Sequence, residues 1–131
     1  MRGGGSVGSQ RFTIPGRLPG LNEYTRMNRA NARAANRMKQ AAQEQIGWAI
    51  RSAKLKPASG PVILCYTWYE ENRRRDLDNV AMGQKFVQDA LVECGVLAGD
   101  GWAHVTGFTH EFYVDKRNPR VEVTIEEVEA I

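Results

Sequence analysis

The residues whose types and spacing suggest chemistry lie mainly in one short segment, from Arg73 to Asn79. Within it, the three arginines Arg73–Arg75 precede two carboxylates, Asp76 and Asp78, and a third carboxylate, Asp100, follows between two glycines. Mg²⁺ in proteins prefers oxygen ligands, usually one or two carboxylates completed by water and substrate phosphate. The segment therefore indicates a site that holds a divalent metal, with arginines gripping phosphates beside it.

The three carboxylates are expected to meet at one edge of a sheet. At the end of a strand alternate residues point the same way, so Asp76 and Asp78 can face one ion. Asp100 comes from the turn after the next helix and is expected to return to the same edge. A metal held there activates water and neutralises charge on a scissile phosphate. Lys85 is expected to contact that phosphate or the transition state, and its alternative is an i,i+4 pair with Asp89.

A second basic group recurs upstream at helical spacing. Its members are three, four and four residues apart and have no acidic residue four positions later: Arg26, Arg29, Arg33 and Arg37. Residues 1–60 contain 11 Lys/Arg and 2 Asp/Glu, whereas residues 61–131 contain 7 and 13. A basic surface beside an acidic one suits a protein that binds a polyanion next to a metal site. We therefore predict that these arginines bind the phosphates of a polyanion, and the alternative is a solvated helix face.

The pattern Asp-x-Asp-Asn has limited specificity on its own, because Asp and Asn cap helices in many proteins. Three functions stay open on the residues alone. They are metal-dependent cleavage of nucleic acid, structure-specific DNA binding without cleavage, and metal-dependent chemistry on another phosphate substrate such as a sugar nucleotide. The upstream arginines favour a long polyanion over a small substrate.

The elements that must position these residues follow from hydrophobic periodicity and turn residues. We predict strands at 11–14, 61–70, 103–114 and 120–126, and helices from 22 to about 54 and at about 79–94. The order β-α-β-α-β-β predicts an α/β (α+β) domain with a mixed sheet and two main helices. Asp78 or Asn79 is predicted to cap the second helix.

Two strands carry more specific expectations. Strand 61–70 is apolar on both sides, so we expect a central strand covered on both faces. Strand 120–126 alternates strictly between apolar and polar residues, so we expect a half-exposed antiparallel strand near an edge. A hairpin turn at 115–119 is expected to join it to the strand before it.

Length and composition indicate one globular domain of 131 residues. We assign residues 1–10, rich in Gly and Ser, to a flexible tail and residues 11–131 to the domain. No apolar run is long enough for a membrane span or a signal peptide, so we expect no membrane association. Cys65 and Cys94 lack metal-site spacing and indicate buried free thiols of a reducing compartment, which favours a cytoplasmic protein.

Together, the motifs resemble the RusA family of Holliday junction resolvases, which is bacterial and prophage-borne. The likeness covers about residues 11–127 and rests on Leu18-Pro19-Gly20-Leu21-Asn22, Arg73-Arg74-Arg75-Asp76-Leu77-Asp78-Asn79, Lys85-x-x-x-Asp89-Ala90-Leu91, Gly95-Val96-Leu97 and Asp100-Gly101-Trp102. The combination is far more specific than any one of its parts.

The resemblance implies a Mg²⁺- or Mn²⁺-dependent homodimer that nicks two strands of a four-way DNA junction symmetrically and leaves ligatable ends with a 5′-phosphate. It implies that Asp76, Asp78 and Asp100 are the metal-binding catalytic carboxylates. Lys85 would be the catalytic or phosphate-contacting lysine. The implied setting is DNA recombination and repair in a bacterial or phage-infected cell, in association with the nucleoid.

The chain departs from the family pattern in two places. About three additional residues, at Ala81–Gly83, precede Lys85, so the helix is expected to start differently. The family often has paired aspartates where this chain has only Asp100, a version closer to phage and prophage members. Nearby, Trp102 is expected to pack against its turn, and its alternative is stacking on a DNA base. Glu70 either adds a metal ligand or pairs with the arginines.

Overall fold

The structure, a computed structural model, describes residues 8–129. Its strands are β1 (Ser9–Pro15), β2 (Val62–Glu70), β3 (Val105–Val114) and β4 (Arg120–Glu127), and its helices are α1 (Leu21–Ala30), α2 (Ala32–Ala53), α3 (Leu77–Ala81) and α4 (Gln84–Glu93). The predicted α+β class with a mixed sheet is confirmed, although each predicted helix is divided in two. β1 begins inside the segment predicted as a flexible tail, and residues 1–7 of that segment lie outside the described residues.

The four strands form one sheet in the order β1-β4-β2-β3. β3 runs parallel to β2, whereas β4 is antiparallel to both β2 and β1. β4 therefore lies in the interior of the sheet, and its expected position near an edge is wrong. The segment 115–119 is not a hairpin turn, because β2 lies between the two strands that it joins. The alternation of β4 reflects a sheet with one well-buried face rather than an edge position.

Burial along β2 shows which face of the sheet is covered. Its central position is confirmed, since it pairs with β3 and β4. One side is at most 1% exposed: Val62, Leu64, Tyr66 and Trp68. The other side is half-buried: Ile63, Cys65, Thr67 and Tyr69. Full coverage on both faces, as predicted, is therefore wrong. Both cysteines are free and half-buried rather than buried.

The long helix predicted from Asn22 to Lys54 is interrupted at Asn31. That residue is extended (φ −162°, ψ 106°), and its side-chain oxygen accepts hydrogen bonds from the backbone N–H groups of Arg33 and Ala34. Asn competes for backbone donors in this way, so it ends α1 and caps α2. Among the described residues, no helix is long and apolar enough to cross a membrane.

The second predicted helix, 79–94, is divided at Met82 and Gly83. This break falls within Ala81–Gly83, the residues predicted to be additional to the pattern that the chain resembles. A Cβ on Gly83 would lie 3.1 Å from the ring of Trp68, so a glycine lets the chain approach the sheet closely here. The single helix predicted here is thus a short first helix, α3, followed by α4.

Candidate active site

The segment Arg73–Asn79 is held against the loop before α1 by the side chain of Asn79. Asn79 is buried, and its Oδ1 accepts a hydrogen bond of 2.9 Å from the backbone N–H of Asn22. The bond satisfies one of the free N–H groups in the first turn of α1. A Cβ on Gly20 would lie 2.6 Å from the same Oδ1, so a larger residue there would displace Asn79. Asn79 therefore caps α1 rather than the helix that contains it.

Glu70, the last residue of β2, is a buried carboxylate that fixes two arginines. Its Oε1 lies 2.9 Å from Nη2 of Arg17 and 3.9 Å from Nη1 of Arg75. Arg75 also donates a 2.9 Å hydrogen bond to the carbonyl of Leu18 and pairs with Glu23 at 3.2 Å. The alternative left open for Glu70 is thus resolved in favour of arginine pairing.

These contacts line an open groove at the C-terminal end of β2, with a volume of about 870 Å³. Its charged lining residues are Glu70, Arg73, Arg75, Asp76 and Glu111. Its apolar lining residues are Leu77, Val80, Phe112 and Val114. A groove with a free cation, Arg73, together with carboxylates and an apolar wall can hold both a phosphate group and a flat apolar ring.

The three consecutive arginines differ in their freedom to bind a ligand. The side chain of Arg75 is 20% exposed and is occupied by the contacts described above. Arg73 and Arg74 are exposed and form no ion pair within residues 8–129. Arg73 also lines the groove, so it is placed to bind a phosphate there. Arg75 holds the wall of the groove in position.

Asp76 and Asp78 stand at the start of α3, beyond the end of β2 at Glu70. Asp76 is the N-cap residue, makes no side-chain capping bond and lines the groove. Asp78 accepts a hydrogen bond of 2.9 Å from the backbone N–H of Asn79. Both carboxylates are exposed. Their expected place at a strand end is wrong, since a loop separates them from β2.

Asp100 lies at the opposite end of the sheet from Asp76. It precedes β3, whose first residue, Val105, is opposite Val62 at the start of β2. The nine residues of β2 cover about 26 Å at about 3.3 Å per residue. Asp100 does not return to the same edge, because β3 is parallel to β2 and so begins at the far end.

The carboxylates of one chain therefore do not assemble into the predicted triad. Within residues 8–129, no three His, Cys, Asp or Glu side chains form a group that could hold a metal ion. Asp76 and Asp78 supply two carboxylates near the groove, a number that Mg²⁺ sites commonly use. A site built from all three aspartates does not fit within a single chain.

Comparison with known proteins bears on the functions left open above. The family described as Endodeoxyribonuclease RusA matches residues 15–126, which is most of the chain. The chain belongs to the RusA family. No curated protein is similar enough in sequence to count as a match. Membership implies endodeoxyribonuclease activity of the Holliday junction resolvase type, on branched DNA. Chemistry on a small phosphate substrate is set aside.

In this RusA family member, Lys85 lies in the first turn of α4 with its side chain 66% exposed. Its Nζ lies 3.2 Å from Oδ1 of Asp89, which is the i,i+4 pair considered as the alternative to a catalytic role. Exposed pairs of this kind contribute about 0.3–0.5 kcal/mol and exchange partners readily. A role for Lys85 at the phosphate stays a prediction.

The upstream arginines of the RusA family chain do not form one continuous helical stripe. Arg26 and Arg29 lie on α1, whereas Arg33 and Arg37 lie on α2, beyond the break at Asn31. All four are exposed and have no ion-pair partner in the described part of the chain. They remain predicted phosphate contacts, now on two helices separated by the break at Asn31.

One residue of the groove, His110, was not expected in the site. Its Nδ1 accepts a 2.9 Å hydrogen bond from Nε1 of Trp68, so in the neutral ring Nε2 donates to Oε1 of Gln84 at 2.8 Å. Burial lowers the pKa of His110. A lone histidine in a strand carries no sequence signal for this role, because both of its partners are distant in the chain.

Proposed function

We propose that this protein is a Mg²⁺-dependent endodeoxyribonuclease, also served by Mn²⁺, that acts as a homodimer and resolves four-way DNA junctions by paired symmetric nicks. The observation that carries the proposal is the groove at the end of β2, which combines Asp76 and the free Arg73 in a chain of the RusA family. We place its action in DNA recombination and repair, at the nucleoid of a bacterial or phage-infected cell.

The metal would be held by Asp76 and Asp78, with Asp100 as the third carboxylate. Bound there, it would supply an activated water and neutralise charge on the scissile phosphate. Arg73 and Arg74 would bind neighbouring phosphates, since both are exposed cations next to the carboxylates. Lys85 would contribute to phosphate binding after exchanging its partner Asp89.

A homodimer reconciles this ligand set with the fold. Asp100 stands about one strand length from Asp76 in the same chain, so a third carboxylate at the metal must come from another copy. In a dimer with two-fold symmetry, each copy can give Asp100 to the other and receive the same residue in return. Two sites related by two-fold symmetry also match two opposed strands of a four-way junction.

Mixing two inactive variants tests this arrangement. Asp76→Asn and Asp100→Asn should each abolish cleavage. In a mixed dimer, however, one site has both lesions and the other has none. An equal mixture that exchanges freely should regain about a quarter of wild-type nicking, since half of the dimers are mixed and each has one intact site. Gel assays with a labelled four-way junction would measure it.

The matched control is a mixture of Asp76→Asn with Asp78→Asn. These two carboxylates come from the same copy, so each site of the mixed dimer keeps one lesion and no activity returns. Recovery in both mixtures, or in neither, would contradict an Asp100 contributed by the partner subunit.

The substrate is tested by comparing a synthetic four-way junction, a flap and a plain duplex, each with and without Mg²⁺. The proposal expects paired cuts in the junction alone, and only with metal. Equal cutting of the duplex would contradict junction specificity, and unchanged cutting in excess EDTA would contradict metal dependence.

A second function is favoured by one observation. Because no three carboxylates meet within the described residues of one chain, the protein could instead bind branched DNA and cleave it little or not at all. In that case, tight junction binding would be accompanied by no cleavage at any Mg²⁺ or Mn²⁺ concentration, and mixtures of variants would restore nothing.

A further inference from the structure

β3 is an edge strand that lacks the usual protection against pairing with another chain. It has ten residues, VTGFTHEFYV, and contains no Pro, Lys or Arg. The other edge strand, β1, carries Arg11 and ends at Pro15. Positive charges and prolines are common means of blocking an edge, so β3 is by far the more open of the two.

The free backbone groups of β3 form a regular row. The carbonyl of Glu70 accepts a hydrogen bond from Asp115 at 2.8 Å, while Glu70 itself is opposite Val114. Backbone groups alternate in direction along a strand, so those of Phe108, Phe112 and Val114 point away from β2. The side chains of Phe108 and Val114 are also 43% and 48% exposed. Hydrogen-bonding groups and apolar side chains are thus open together.

The two ends of β3 carry complementary features. Before its first residue stands Trp102, which is 95% exposed, so the expected packing against its turn is wrong. Beside its last residues lies the groove, whose apolar wall includes Phe112, Val114 and the 58% exposed Leu77. When two copies of one strand pair antiparallel, the start of each lies beside the end of the other.

We propose that two copies of the chain pair antiparallel through the open edges of β3, with Trp102 of each copy seated in the groove of the other. The inference rests on the proposed function, because it names the surface that forms the proposed homodimer. A two-fold axis near His110 would set Phe108 opposite Phe112 of the partner subunit, an aromatic cross-strand pair.

Charge supports a second copy as the occupant of the groove. Arg73 lines the groove without an ion pair, and Asp100 has none either, within residues 8–129. The pairing brings Asp100, two residues before Trp102, to the groove that contains Arg73 of the partner subunit. The same pairing therefore places the unpaired Asp100 near the unpaired Arg73 and places Trp102 against the apolar wall of the groove.

Sedimentation equilibrium of the full chain, without DNA or metal, tests the interface independently of nuclease activity. The wild type should be a dimer. Trp102→Ala should raise the dimer dissociation constant by about 30-fold, as for a buried tryptophan at the centre of an interface. Trp48→Ala, which removes another exposed tryptophan (60%), from α2, should leave the dissociation constant unchanged.

A second variant tests the strand edge. Phe108→Pro removes an N–H group that points away from β2, so the single chain should keep its fold while the dimer weakens by about 30-fold or more. Circular dichroism and thermal unfolding would verify the fold of the variant. Phe108→Leu keeps the N–H group and should weaken the dimer much less.

Three outcomes would overturn the proposal. They are a wild-type monomer, a dimer that tolerates both Trp102→Ala and Phe108→Pro, and a Trp102→Ala variant that stays dimeric but binds junctions more weakly, because tryptophan would then contact DNA. If the variants become monomeric while the wild type cleaves no junction, the interface stands and the proposed function fails.

Discussion

The two ends of β2 are built in different ways. At the C-terminal end, Glu70 connects Arg17 and Arg75 in a network that is mostly shielded from water. At the N-terminal end, the turn before β3 presents Asp100 and Trp102 to solvent with no ion pair among the described residues. The contrast teaches that the charged groups at one end find their partners within the chain, whereas those at the other end do not. In the proposed homodimer, the second copy would supply the missing partners.

This contrast also explains the role of the paired charges at the C-terminal end. Arg75 and Glu70 hold the loop before α1, through Leu18 and Glu23, against the segment that carries Asp76. Buried ion pairs of this kind are costly to break, because the remaining charge loses its partner. The end that carries Asp76 is therefore held in place by the chain itself, whereas no ion pair among the described residues holds Asp100.

The largest effect, on junction cleavage, is expected from substitution of Asp76 near the C-terminal end of β2. Asp76→Asn should lower junction cleavage by about 100-fold or more, since a metal supplies several kcal/mol to the transition state. Junction binding should persist, because the substitution also removes repulsion between carboxylate and phosphate. Quantitative cleavage and mobility-shift assays would measure the two effects.

Glu111→Gln is the matched control for that experiment. It neutralises a carboxylate that lines the same groove but comes from β3. Its cleavage rate should stay close to that of the wild type. Full cleavage activity in Asp76→Asn would remove Asp76 from the site.

The next effect concerns stability and compares the two ends directly. Glu70→Ala should lower the free energy of unfolding by about 3 kcal/mol, because Arg17 and Arg75 lose a shared buried partner. Asp100→Ala should change it by no more than about 0.5 kcal/mol, as expected of an exposed residue without a partner. Urea unfolding followed by circular dichroism measures both. Equal losses would show that the two ends are not built differently.

Much of the fold could be predicted because its signals are local. The periodicity of β2 and β4 identifies both strands within one residue or so of their bounds. The position of β4 inside the sheet could not be predicted, since its alternation records one well-buried face and not which strands lie beside it. The interruption at Asn31 was missed because the apolar pattern runs through it unchanged.

The sequence names candidate site residues, which stay a prediction, but it does not show how far apart they lie in the fold. The motif identifies Asp76, Asp78 and Asp100, yet their separation depends on whether β3 runs parallel or antiparallel to β2. The structure shows that direction through the parallel register, which runs from Val62 opposite Val105 to Glu70 opposite Val114. The structural role of Glu70 was equally hidden, because Arg17 lies 53 positions away in the sequence.

A smaller effect on junction binding is expected to distinguish Arg73 from Arg75, which both lie near the C-terminal end of β2. Arg73→Ala should weaken junction binding and reduce the slope of log affinity against log salt by about 1, as for one lost phosphate contact. Arg75→Ala should instead lower stability and change the salt slope little, since Arg75 is occupied by Glu23 and Glu70. Titrations at several salt concentrations measure the slopes. Equal slopes for the two variants would mean that both arginines bind DNA, or that neither does.

The smallest effect is a dependence of the unfolding free energy on pH, which again distinguishes the two ends of β2. Burial lowers the pKa of His110, in the groove, so the folded protein resists protonation of a ring that already accepts a hydrogen bond from Trp68. The unfolded chain keeps a pKa of about 6.5. Stability is then fully present above that pH and falls as pH decreases from about 6.5 towards the lower folded pKa, because the unfolded state binds more protons.

Urea unfolding at pH values between about 7 and 5 would follow this loss, above the range in which most carboxylates titrate. His110→Gln should flatten the curve in that window, whatever its effect on absolute stability. His104→Gln, at the opposite end of β2, should leave the slope as in the wild type. If His104→Gln flattened the pH dependence of the unfolding free energy and His110→Gln did not, the pH-sensitive packing would lie at the N-terminal end of β2.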